Sequence, residues 1–494
     1  MSEPGAPPPA VSPGLTHQSV RAGSWLVLIV ALVHLFVFLR TLILARFLEP
    51  REFGLMGLAF IAISAAEVLS QTGFNQALVQ RRDEVKAYLP TFWTVSVVRG
   101  LFLALVIIVI APLVGAFFKT PDAVPVLRVL SIRFVLMGLS SPRWGLLERE
   151  LKMVRYGMPS LIGNFVDLIV TAVLAWRLHS VWAMVIGFLV GAAVLTIFTY
   201  VVAPHMPRFG FDWAHARELH SFGKHIFRYE LVTYFVQQTD RIAVGRLRDA
   251  ASLGLYTFAS RLATMQAILV QTVVTPVAFP AFARVQEEPE RIRNAYLRLM
   301  GLISVAAFPI AIGLAATGPE MIPVVFGDRW RPMTLTFQIL CLLGVSTVVE
   351  QTCGTVAGGI GRPELPVRAS LIRLGILALA LAPATIFFGI EGTAAVTLMA
   401  SIVSTLYLLR IQALIVGTHG GDHLRVLGIP AAASAAMFVV VMGVRAWAPF
   451  ASAPAMLALM VLTGATTYLV SALAADRMSG AALTDSIAGI IRSR

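Results

Sequence analysis

Apolar runs long enough to cross the roughly 30 Å hydrocarbon core of a bilayer follow one another almost without interruption along this chain. They lie near residues 22–46, 53–78, 87–115, 121–146, 155–177, 179–203, 218–244, 252–283, 290–316, 331–358, 363–388, 391–417, 424–447 and 453–475. Read as helices, they make an all-α polytopic membrane protein with about 14 transmembrane helices. Every connection between them is short, the longest being "HMPRFGFDWAHAREL". A soluble catalytic or nucleotide-binding domain has no room, so the work of this chain is done inside the membrane.

Composition agrees. Of 494 residues 57% are hydrophobic and 13% charged, against roughly a quarter charged in soluble proteins, and the mean hydropathy is +0.81. The formal net charge of +13 is spread thinly through short connections instead of forming a stripe, which excludes nucleic acid and points to topology and anionic lipid. "QRRDEVK", "ERELKMVR", "ARVQEEPERIR" and "GRPELPVR" all fall on the side of the N-terminus. That side carries the larger share of Lys and Arg, which predicts that both termini are cytoplasmic. Residues 1–20 read as a disordered Pro-rich leader, with no cleavable signal peptide. Cys341 and Cys353 lie in one apolar run, about 18 Å apart if it is helical, too far for a disulfide. No metal cluster is expected.

The chain repeats itself. A shift of 200 residues superposes Arg46 on Arg246, Gly54 on Gly254, Leu55 on Leu255, Ala59 on Ala259, Leu69 on Leu269, Gln71 on Gln271 and Thr72 on Thr272. An even number of helices separates the copies, so both insert in the same sense. The expected layout is two pseudo-symmetric six-helix lobes, 21–204 and 218–418. A cytoplasmic linker, 205–217, joins them; two extra C-terminal helices, 419–476, and a cytoplasmic tail, 477–494, follow.

Charges at helix centres are the informative anomaly: Arg40, Glu67, Arg133, Asp167, Glu230, Arg261 and Arg373. Facing lipid, they would together cost roughly 20 kcal/mol, more than the 5–15 kcal/mol or so of a typical net stability. They must face other helices or water. Gly57, Ser64, Glu67 and Gln71 fall on one helical face, and so do Thr257, Arg261, Thr264 and Gln271. A buried ion pair explains any single member as well as a wet site does. For the whole set a solvated cavity is the better reading, because seven charges on seven helices cannot all pair locally. His34 is a candidate proton carrier or a satisfied core histidine. Pro276 and Pro280 kink the end of the 252–283 run, as a gate or as fixed packing. At the corners "LARFLEPREFG" and "VGRLRDAASLG", Glu49, Glu52 and Asp249 put negative charge at helix starts, with Arg46 and Arg246 placed to pair with them.

These corners also carry a resemblance. "LARFLEPREFGLMGLAFIAISAAEVLSQTGFNQALVQRRD", "TDRIAVGRLRDAASLGLYTFASRLA", "TPVAFPAFARVQEE" and "VVFGDRWRPM" closely resemble the polysaccharide-transporter branch of the multidrug/oligosaccharidyl-lipid/polysaccharide flippase superfamily, the Wzx-type lipid-linked oligosaccharide flippases. The likeness runs from about residue 20 to 420. It implies a bacterial inner-membrane protein with two six-helix lobes around a central cavity, and a cargo built on polyprenyl pyrophosphate. It also implies alternating access driven by an ion gradient instead of ATP, hence a secondary transporter and not an enzyme. H⁺ or Na⁺ would couple; no other cofactor is expected. The resemblance also implies a polysaccharide polymerase as a candidate partner. On that footing Arg133, Arg261 and Arg373, with Arg40, Gln71 and Gln271, are candidates for pyrophosphate or sugar, since guanidinium groups match phosphate oxygens in two-point contacts. Glu67, Asp167, Glu230 and His34 are candidates for ion coupling.

Two other readings stay open. A multidrug or metabolite antiporter of the same superfamily would share the build but favour an acidic cavity. A membrane polymerase or ligase acting on lipid-linked sugars would carry a large external loop, which this sequence lacks. No Walker A sequence occurs, which argues against ATP hydrolysis.

Overall fold

The computed structural model describes residues 13–70, 88–150, 152–206, 208–265, 267, 274–286, 288–447 and 452–479, and the side chains of all these except 13–24, 214–229, 276, 277, 280 and 475–479. Among the described residues every regular element is helical: α1 Pro13–Phe47, α2 Pro50–Leu69, α3 Leu89–Phe117, α4 Ala123–Leu130, α5 Ile132–Gly138, α6 Met153–Leu178, α7 Val181–Val202, α8 Trp213–Leu247, α9 Ala250–Ala263, α10 Thr275–Arg284, α11 Pro289–Met321, α12 Thr334–Gly359, α13 Glu364–Val416, α14 Gly420–Trp447 and α15 Ala453–Ser479. Ten helices among them are long and apolar enough to cross a membrane. One of the ten, α13, is two helices meeting at Gly389, whose φ of 65° and ψ of −144° are not helical. That break falls between the runs expected at 363–388 and 391–417.

Two expected runs are interrupted. The stretch 121–146 divides into α4 and α5 around Ser131, whose hydroxyl turns back to donate to the Arg128 carbonyl at 2.7 Å. Within 252–283, α9 ends at Ala263, Thr264 leaving the helix with φ −96° and ψ 0°, and α10 begins at Thr275; 266 and 268–273 lie outside the described residues. Pro276 therefore stands in the first turn of α10, where a missing N–H breaks no helical hydrogen bond. Pro280 lies inside α10.

The chain forms two compact units. The first comprises Met1–Leu44, Ser70–Val109 and Arg128–Phe227. Its helices approach through glycines: a Cβ on Gly100 would stand 2.5 Å from the Phe134 carbonyl oxygen, and one on Gly138 2.6 Å from that of Ser96. In the α6–α7 pair, a Cβ on Gly191 would stand 2.8 Å from the Gly163 carbonyl oxygen and one on Gly187 1.9 Å from Thr171 Oγ1. Small residues of this kind let helix backbones come together where no hydrophobic force drives association. The "GFLVG" spacing (187 and 191) is thus a tight crossing.

The second unit comprises Ala45–Leu69, Ile110–Leu127 and Arg228–Arg494. Its core includes Phe282, Tyr296, Met300, Cys353, Val356 and Leu408. Cys341 and Cys353 are both free and buried in α12.

Candidate functional site

The repeated corners meet inside the second unit. Glu49 precedes α2 and Asp249 caps α9, accepting the Ser252 N–H at 2.7 Å. The two helices cross reciprocally. A Cβ on Gly54 would lie 1.7 Å from the Ala250 carbonyl oxygen, and one on Gly254 1.8 Å from that of Pro50. Pro50 and Ala250 are the first residues of their helices, so each copy sets its glycine on the start of the other. A contact of this form is self-complementary about a local two-fold. Gly57 and its equivalent Thr257 face each other across it, a Gly57 Cβ falling 3.5 Å from Thr257 Oγ1. At this level the two polar faces predicted from the repeat are packed together.

Aromatic rings cover the crossing. Phe258 lies 5.4 Å from Phe53, 4.3 Å from Trp330 and 5.0 Å from Phe326, centroid to centroid. The chain at 324–330 then clasps the chain at 45–48. Trp330 Nε1 donates to the Ala45 carbonyl at 2.9 Å, Arg329 Nη1 to Leu48 at 3.2 Å, and Arg46 Nη2 to Val324. Arg246 lies over the Phe117 ring, 5.4 Å from its centroid. The two corner arginines, equivalent by repeat, have different partners in the fold. Gly327, with φ 103° and ψ 163°, occupies a region that essentially only glycine adopts. It turns the chain between Ile322–Phe326 and Asp328–Met333.

Charges in the membrane-spanning helices form separate clusters. In the first unit Arg40 Nη1 donates to Asp167 Oδ2, and Thr171 Oγ1 donates to Asp167 Oδ1 at 2.8 Å. The structure thus joins a residue expected to bind substrate and one expected to couple ions. Arg133, in the first turn of α5, lies over Phe188 at 5.2 Å. His34 Nδ1 donates to the Val30 carbonyl at 2.8 Å. In the second unit Arg373 Nη1 lies 3.5 Å from Glu350 Oε2, and Ser404 donates to Glu350 Oε1 at 3.1 Å. Glu67 and Glu230 are half-buried, and Arg261, in the last turn of α9, is exposed. Gln71 and Gln271 lie outside the described residues.

Glu350 was missed by the sequence reading, as was a buried pair in α8 and α9: Tyr256 donates to Asp240 Oδ2 at 2.8 Å. The signal was present, because both acids carry the same penalty in hydrocarbon as the seven charges singled out. Asp240 sits near the end of its apolar run and reads as interfacial. One feature recurs: among the described residues Arg40, Arg241 and Arg373 each keep Nε buried without a hydrogen-bond partner. A cavity of about 840 Å³ among α11, α12, α13 and α14 differs in character. Its lining is apolar except where Gln338 donates to Ala315 and Ser346 pairs with Thr405.

A family described as "Polysaccharide biosynthesis protein" matches residues 43–335. The chain belongs to this family. The match starts and ends beside the two segments of the corner clasp. Among its relatives, the lipopolysaccharide biosynthesis protein WzxC of Escherichia coli (strain K12) is 23% identical, over 73% of each chain. The teichuronic acid biosynthesis protein TuaB of Bacillus subtilis (strain 168) is 24% identical, over 72% of this chain and 74% of that one. Both uphold the Wzx-type resemblance read from the corner motifs. The fold is that of the lipid II flippase MurJ in its inward closed conformation, with a TM-score of 0.75, 17% identity and coverage of 91% of this chain and 99% of that one.

Proposed function

We propose that this family member carries polyprenyl-pyrophosphate-linked oligosaccharide across the bacterial inner membrane for exopolysaccharide, capsule or O-antigen synthesis, by ion-coupled alternating access. Family membership, the biosynthetic roles in the names of its relatives, and the likeness in fold to a lipid II flippase support the reading. The fourteen-helix layout with two six-helix lobes around a central cavity, and cytoplasmic termini, belong to the same proposal.

The observation that carries it is the unpartnered Nε of Arg40, Arg241 and Arg373. A buried donor without an acceptor costs about 1–3 kcal/mol, and unsatisfied groups of this kind call for a physical reason. Diphosphate oxygens are suited to relieve it, since guanidinium donors bind them in paired, charge-assisted hydrogen bonds. Arg40 and Arg373 each stand beside a carboxylate, so anion arrival and a change in the carboxylate's charge are coupled at one place. That is the chemistry ion-driven export requires. Within the second unit Arg261 is a further candidate for the anion, and Arg133 is one within the first, while the apolar cavity suits isoprenoid in preference to sugar.

The corner fits the same cycle. With cytoplasmic termini, the α2–α9 crossing lies at the outer end, and opening outward breaks the clasp at Trp330. The test is reconstitution in liposomes with a labelled polyprenyl-pyrophosphate oligosaccharide, following its movement between leaflets with and without an imposed pH gradient. Transfer above protein-free liposomes supports the reading, and its acceleration by the gradient supports proton coupling. Arg261→Ala is expected to abolish polymer export at normal membrane levels; unchanged export removes Arg261 from the route.

A further inference from the structure

Between α7 and α8 the described residues, 204–206 and 208–212, are neither helix nor strand, yet 210 and 212 are fixed in place. The N–H of Gly210 donates to Thr94 Oγ1 at 3.1 Å and that of Asp212 to Thr91 Oγ1 at 3.2 Å, both at the start of α3. A Cβ on Gly210 would stand 2.9 Å from Pro90 Cβ, and the Phe209 ring lies 4.8 Å from Trp93. With its backbone tied to α3, this strap leaves Met206 86%, Phe209 75%, Phe211 57% and Trp213 72% exposed. Cations stand along the same stretch. Arg143 Nη1 donates to the Pro204 carbonyl at 3.3 Å. Burial, then Arg143 and Arg208, hold the His205 pKa below its usual value, which leaves the two arginines as the lasting positive charge.

The level of the strap follows from α7, whose 22 residues span about 33 Å. Residues just beyond Val202 therefore emerge among headgroups, where aromatic side chains concentrate and Lys and Arg attract anionic lipid. We infer that residues 204–206 and 208–213 with Arg143 form a rigid interfacial anchor that binds an anionic phospholipid, Phe209, Phe211 and Trp213 lying against its acyl region and Arg143 and Arg208 on its phosphate. The patch is too apolar for water, and its two arginines match an anionic surface. The inference needs only that α3 and α7 cross the membrane, so it stands apart from the identity of the cargo.

The test is native mass spectrometry of the full-length protein in neutral detergent, titrated with phosphatidylglycerol and, separately, with phosphatidylcholine of the same chains. The anchor predicts about ten-fold tighter binding of phosphatidylglycerol to at least one site. Arg143→Gln/Arg208→Gln loses that preference while its melting temperature holds. Phe209→Ser/Phe211→Ser/Trp213→Ser weakens binding of both lipids. Equal affinity for the two lipids in the wild type, or a preference unchanged in the arginine variant, overturns the inference. So does displacement of phosphatidylglycerol by inorganic phosphate, which marks a plain anion site. A dimer in light scattering that dissociates on serine substitution overturns it too, by making a second copy the occupant.

Discussion

Gly54 and Gly254 are the residues on which the repeat closes. A methyl group on either would overlap a backbone carbonyl of the other copy, and backbone cannot rotate away as a side chain can. Gly54→Ala is expected to lower stability by about 1–3 kcal/mol or more. Gly428→Ala, which meets nothing within 4 Å, leaves it unchanged or slightly raised, since Ala suits a helix interior better. Fluorescence-detected thermal melting of the purified variants separates the two. Arg40 and Asp167 make a second residue-scale test. Arg40→Gln leaves a buried carboxylate uncompensated and is expected to cost about 3–5 kcal/mol, whereas Arg40→Gln/Asp167→Asn recovers most of it in the same melts. Which acid meets which arginine was not legible in the sequence, because these two are 127 residues apart and no local spacing links them. The helix-start charges were legible, since a cap needs only near neighbours. Accepting the Ser252 N–H holds the Asp249 pKa below its ordinary value. The folded state therefore favours the ionised form, so the stabilisation is present at neutral pH and is lost as pH falls through the depressed pKa. Asp249→Ala is expected to cost up to about 1 kcal/mol at neutral pH and correspondingly less in acid; a difference constant with pH contradicts the cap.

At the scale of elements, hydropathy locates where chain can cross hydrocarbon but does not report whether its backbone is continuous. The break at Gly389 falls between two runs, 363–388 and 391–417, that hydropathy already separates. The break after Ala263 does not, because apolar residues carry straight through it and only the backbone departs from the helix. The clasp was recognisable as a motif in "VVFGDRWRPM" without any hint of its partner, since it joins stretches some 280 residues apart in the sequence. Its dependence on Gly327 can be measured. Gly327→Ala must hold a side chain in a conformation that L-residues rarely adopt, at a cost of about 1–3 kcal/mol, read as a lower melting temperature. Trp330→Phe keeps a ring against Phe258 and Phe53 but removes the N–H that reaches Ala45, so its loss is expected to be smaller than that of Trp330→Ala. Equal melting temperatures for the two would mean that the hydrogen bond, not the ring packing, holds the corner.

For the whole molecule, seven charges distributed over apolar helices are an expense that a purely structural bundle has no need to carry. Among the described residues the structure pairs Arg40 with Asp167 and Arg373 with Glu350, and the Nε atoms of Arg40, Arg373 and also Arg241 are buried without acceptors, which the proposed function assigns to an anion. Family and fold bring the cargo class within reach, while the choice of coupling ion depends on how the carboxylates beside those arginines respond to it. The central claim is that buried arginines hold the diphosphate of a lipid-linked sugar as it crosses. Its most direct measurement is the leaflet-to-leaflet transfer rate of labelled polyprenyl-pyrophosphate oligosaccharide in liposomes containing the wild type or Arg373→Gln at matched protein levels. The account predicts transfer well above protein-free liposomes for the wild type and a collapse toward that background for Arg373→Gln; transfer at the wild-type rate by the variant, or none by the wild type, would contradict it.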